Sequence, residues 1–122
     1  IHPLRGMDGA ILTEDFPADH LHQRGVFWSW HQLNIGDKRI GDGWECKDFS
    51  WDVHLAGEST GKKKSLRLMM ETFWKSPLWV NDAGEQVPFL AEKSTITIFP
   101  AKKNYRVIDF EISLLALVKD LS

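Results

Sequence analysis

The chain has little of several things that usually announce a function. Its 122 residues include one cysteine, Cys46. A single thiol closes no intrachain disulfide and builds no cysteine-based metal site within one chain. That is compatible with the cytoplasm, and equally with a periplasmic protein that needs no staple. Charge of one sign is scarce too: the formal net charge is -2, whereas nucleic-acid binders carry a basic surplus. The basic triplet Lys62-Lys63-Lys64 reads as a solvated hairpin tip. Long apolar runs are missing. The longest, Ile112 to Val118, is interrupted by Ser113 and falls well short of the ~20 residues that cross a bilayer. Neither nucleic acid nor membrane is therefore an expected partner. No P-loop, G-x-G-x-x-G or G-x-S-x-G is present, which leaves nucleotide and serine-hydrolase chemistry without support. No cofactor is expected.

What is there describes a folded protein. A hydrophobic fraction of 43% beside a charged fraction of 26% fits a soluble globular chain rather than a disordered one. Turn residues recur at short intervals with β-favouring segments between them, the spacing of a meander or sandwich, and the expected architecture is an antiparallel β-sandwich. Val26 to Leu33 is rich in aromatic and β-favouring residues and is predicted as a strand. Trp51 to Leu55 alternates apolar and polar residues. Leu66 to Trp74 reads as a strand, and Asn81-Asp82-Ala83-Gly84 as the return. Val87 to Phe99 continues extended through Thr95, Ile96, Thr97 and Ile98. In the last strand Ile108, Phe110, Ile112 and Leu114 share one face, with Asp109, Glu111 and Ser113 on the other. The fold class is all-β, in one domain over residues 1–122. The abrupt start and the apolar final strand point to part of a larger unit, whose open sheet edge would be covered by more chain or by a second subunit in a homo-oligomer.

The chemistry concentrates in Asp15-Phe16-Pro17-Ala18-Asp19-His20-Leu21-His22-Gln23-Arg24-Gly25. In extended chain His20, His22 and Arg24 project to one side at about 6.5 to 7 Å per two-residue step. Two imidazoles so placed can divide acid and base duties near neutral pH. Arg24 offers fixed donors to a carboxylate or a hydroxyl-rich ligand, and Asp19 can orient an imidazole. The same spacing also suits a polar surface loop. A metal would need further ligands, with His2, His31, His54, Asp15 and Glu71 as candidates, and no zinc signature is present. Six tryptophans, Trp28 and Trp30 among them, supply flat faces that pack in a core or stack on sugar rings.

Asp15-Phe16-Pro17-x-Asp19-His20-x-His22-x-Arg24-Gly25-x-Phe27-x-x-Trp30 resembles the D-F-P-x-D-H-P-H-H-R-G-x-F-x-x-W pattern of the soluble bacterial PmoA-like family, often labelled "methane oxygenase PmoA". Arg106-Val107-Ile108-Asp109-Phe110-Glu111-Ile112 is similar to that family's R-x-I-D-F-E strand. The chain departs from the pattern at Leu21, where Pro is usual, and at Gln23, where a third His is usual. The resemblance implies a mutarotase-like β-supersandwich of which residues 1–122 are an N-terminal portion, and a concave sheet face that binds a sugar. It implies His20 or His22 as acid, Arg24 as hydroxyl binder, Trp28 or Trp30 as stacking platform, and Glu92, Glu111 or a carboxylate of the absent portion as base.

Three functions remain open on these residues. One is a carbohydrate-active enzyme of epimerase, lyase or hydrolase type, with His20, His22, Arg24 and Glu92 as catalytic candidates and Asp19, Trp28 and Trp30 against a small-molecule or oligosaccharide ligand. The others are a non-catalytic carbohydrate-binding module and an interaction domain that uses the open edge.

Overall fold

A computed structural model describes residues 1–61 and 64–122; two lysines of the triplet, Lys62 and Lys63, lie outside the described residues. The secondary structure is all-β. Six strands run β1 (Leu33–Ile35), β2 (Lys38–Gly41), β3 (Ser50–Thr60), β4 (Leu66–Lys75), β5 (Leu90–Ile98) and β6 (Ile108–Ala116). The first two form a small antiparallel hairpin, and the other four a meander in the order β3-β4-β5-β6. No helix among the described residues is long and apolar enough to cross a membrane.

Most of the meander follows the sequence pattern. Two turn devices join its parts: Asn81 Oδ1 accepts the backbone N–H of Ala83 and of Glu85, and Gly84 adopts the left-handed φ of 80° that such a turn needs. The tail from Leu114 stays in strand as far as Ala116. Of Val26 to Leu33, predicted as a strand, only Leu33 joins a ladder, as the first residue of β1. The aromatic rings of the segment are committed elsewhere. Phe27 meets Trp51 of β3 at 6.5 Å between ring centroids, Trp30 meets Trp74 of β4 at 5.7 Å, and Trp28 meets Phe110 of β6 at 5.9 Å. A segment crossing three strands of a sheet cannot also pair alongside one of them.

The two sheets share one core. Leu33 and Ile40 from the hairpin pack with Trp74, Phe89 and Leu90, all essentially inaccessible, and Phe49, Trp51 and Trp79 close around them. Ser76 Oγ donates to the Ile40 carbonyl and ties β2 to the end of β4. Burial of these side chains, at roughly 25 cal/mol per Å² of apolar area, holds the sandwich at this end. The opposite end and both outer strands are thinly covered. Val53 and Leu55 on β3 are exposed, as are Phe110, Ile112 and Leu114 on β6. The predicted alternation of β6 is present, but an edge strand with one neighbour does not bury its apolar side.

Candidate functional site

Cross-strand register places the polar groups. Val53 lies opposite Thr72 and Thr72 opposite Glu92, two residues along from Trp51 opposite Trp74 and Trp74 opposite Leu90. Directly opposed residues of antiparallel strands share a face. Thr72, Glu92 and Ser94 therefore form a polar island on the face whose neighbouring rung is the Trp74 core. All three are buried, Glu92 at 3% exposure. A buried carboxylate is costly unless hydrogen-bonded, and Glu92 is: Trp74 Nε1–H donates to its Oε2 at 3.0 Å, and Ser94 Oγ donates to its Oε1.

Above this island the N-terminal segments form the second wall of a cleft of about 480 Å³. Trp51, Val53, Met70, Thr72 and Glu92 line its floor, and His2, Asp15, Arg24, Phe27 and Trp28 its wall. Arg24 grips Asp15 with Nε at 2.6 Å from Oδ1 and a terminal nitrogen at 3.4 Å from Oδ2, while its guanidinium lies 3.8 Å from the centre of the Phe16 ring. The Arg24 hydrogen bond holds the Asp15 carboxyl below the usual carboxylate range. Gly25 follows at φ 69°. A Cβ there would run into the Ile1 carbonyl oxygen, so the chain behind Arg24 passes where only glycine fits.

Of the residues singled out in the sequence, Arg24, Trp28 and Glu92 line this cleft. His20 and His22 are not among its lining residues. The segment is not extended: the His20 N–H bonds the Pro17 carbonyl and the Gln23 N–H bonds the His20 carbonyl, and consecutive turns abolish the two-residue alternation. His20 instead places Nδ1 3.1 Å from Asp19 Oδ2, both well exposed. The His22 ring packs 6.2 Å from Trp44, and its carbonyl accepts the Cys46 thiol. Burial pushes the Cys46 thiol up from its ordinary pKa. Trp30 is 42% exposed and meets the core through an edgewise contact with the Trp74 ring, outside this cleft. Glu111 lies opposite Thr95 on the other face of the sheet.

Trp51, Thr72 and the clamping role of Asp15 went unread in the sequence. Trp51 was available as half of an apolar alternation. Nothing in one sequence states that Thr72 will stand opposite Glu92.

What this cleft offers is flat aromatic surface beside paired, oriented polar groups, with one carboxylate at the floor. No curated protein and no solved structure is significantly similar to the chain. The resemblance to the PmoA-like family is overturned: its motifs are confined to segments 15–30 and 106–112, whereas a different family accounts for the whole length. Residues 1–122 match the model of DUF6807, a family of unknown function, and the chain belongs to that family.

Proposed function

We propose that the chain is carbohydrate-active: the cleft binds a sugar, and Glu92 exchanges protons with it. The observation that carries this reading is Glu92 itself, a buried carboxylate on the floor of a cleft that also presents Trp28, Trp51, Thr72 and Arg24. Ligand pockets join apolar walls to a few fixed polar groups, and volumes of about 300–1,000 Å³ are usual. Indole faces suit the C–H faces of a sugar, and guanidinium and hydroxyl groups suit its hydroxyls. With Asp15 held by Arg24, Glu92 is the carboxylate left to act, which favours epimerase or lyase chemistry over hydrolysis by two carboxylates.

A second reading, a non-catalytic sugar-binding module, is favoured by one fact: both Glu92 oxygens already accept internal hydrogen bonds. A panel of neutral sugars and sugar acids, followed by calorimetry and by product analysis, separates the two. Enzymatic use of Glu92 predicts that Glu92→Gln lowers turnover by about 10²–10⁴-fold with affinity largely kept, while Trp28→Ala weakens affinity. Binding without turnover supports the module. No binding by any sugar sinks both readings.

A further inference from the structure

A second cleft, polar in its lining, shares no lining residue with the first. It is lined by His31, Gln32, Arg39, Asp42, Glu45, Lys47, Asp48 and the neighbouring backbone. Its centre is Asp42, at 1% exposure the most buried carboxylate described. The hairpin brings it there: Leu33 pairs with Gly41, so the residues just before β1 meet those just after β2. The loop then closes on itself, with reciprocal backbone hydrogen bonds between Asp42 and Lys47. Asp42 Oδ1 accepts the Glu45 N–H at 3.0 Å. Its Oδ2 faces His31 Nδ1 at 2.7 Å, the Arg39 guanidinium at 3.0 Å and the Gln32 N–H at 3.3 Å.

The geometry points to a divalent transition-metal site formed by His31, Asp42 and Glu45. One ligand atom from each lies within 4.8 Å of the others, so a single ion can reach all three. One imidazole nitrogen with two carboxylate oxygens is a donor set that suits Zn²⁺. Three protein ligands leave positions open for water, the arrangement of a reactive rather than a closed structural centre. Asp42 is fixed by the loop hydrogen bonds, whereas the side chains of His31 and Glu45 are exposed, His31 with its Nδ1 already against Asp42. Arg39 is the natural competitor. It is half-exposed and holds the oxygen that the cation would take, so binding requires its guanidinium to swing aside. This site is independent of the sugar-binding reading.

Titration of the chain with Zn²⁺ by calorimetry tests it, because Arg39 makes a prediction that a chance surface site does not. His20 and His22, two imidazoles 5.9 Å apart elsewhere in the chain, are removed in a control variant, His20→Ala/His22→Ala. The expected result is one equivalent of Zn²⁺ bound by the chain and by this control. His31→Ala should weaken binding at least ~10-fold, and Arg39→Ala should tighten it roughly two- to fivefold through loss of a half-exposed ion pair. Circular dichroism confirms that each variant is folded, and Asp42 is left intact because its loop depends on it. Absence of binding at millimolar Zn²⁺ in both the chain and Arg39→Ala overturns the proposal. So does binding that vanishes in the control and survives in His31→Ala.

Discussion

Glu92 shows how a single buried carboxylate is tolerated and what depends on it. Its oxygens are met by donors from two sides, an indole N–H from the adjacent strand and a hydroxyl two residues along its own. Trp74→Phe keeps most of the core surface and removes the indole donor. Hydrogen bonds to charged groups contribute about 1.5–3 kcal/mol, so urea unfolding should show a loss of that order. Combining it with Glu92→Gln should give a double-mutant coupling of at least ~0.5 kcal/mol; strict additivity would mean that the bond carries no energy. Gly25 belongs to the same scale. Gly25→Ala puts a Cβ at left-handed φ and against a carbonyl oxygen, and the conformational cost alone is about 1–2 kcal/mol. Thermal unfolding should register it as a clear fall in Tm, with Arg24 displaced from Asp15.

Elements add what residues cannot, namely who stands opposite whom. Across β3 and β4, Lys75 Nζ lies 2.6 Å from Asp52 Oδ2, and His54 Nε2 lies 3.1 Å from the other oxygen. The Lys75 hydrogen bond lowers the Asp52 pKa in the folded chain. A depressed carboxyl contributes stability in full above its unfolded pKa of about 3.9, and that contribution disappears as pH falls through the lower folded value. Tm should therefore drop as pH falls below about 4, less steeply in Asp52→Asn than in the parent chain; equal slopes would remove Asp52 from the acid transition.

Register also explains what the sequence left illegible. Period-two alternation marked β6 and the middle of β3, because a pleat repeats every two residues. It did not mark their burial, since an alternating strand looks the same at the edge of a sheet as at its centre. Segment 26–32 carried strand-like composition, yet Phe27, Trp28 and Trp30 spend their rings on three separate strands. Arg24, Trp28 and Glu92 were legible as chemical types. Their meeting in one cleft was not, because it depends on how a loop folds over a sheet. The His31–Asp42 pair was missed for the same reason, although the Gly36-Asp37 turn between two short β-favouring runs was a usable sign that the flanks would meet.

At the scale of the molecule, the two sheets are joined by one small core, and both clefts flank it. Trp74 belongs to that core and also donates to Glu92; Ile40 belongs to it and immediately precedes the Gly41–Asp42 corner. Glu92 and the corner that carries Asp42 thus both adjoin the same core of five side chains. Phe89 is the most direct way to test this, since it is fully buried, contributes no polar contact to either cleft through its side chain, and packs at the junction. Removing its ring in Phe89→Ala costs about 3–5 kcal/mol, a large part of the 5–15 kcal/mol that keeps a domain folded. If the core is one cooperative unit, tryptophan fluorescence and far-UV circular dichroism should report the same shifted urea midpoint. Separate midpoints would show that the hairpin with Asp42 and the meander with Glu92 unfold independently, and that the shared core does not couple them.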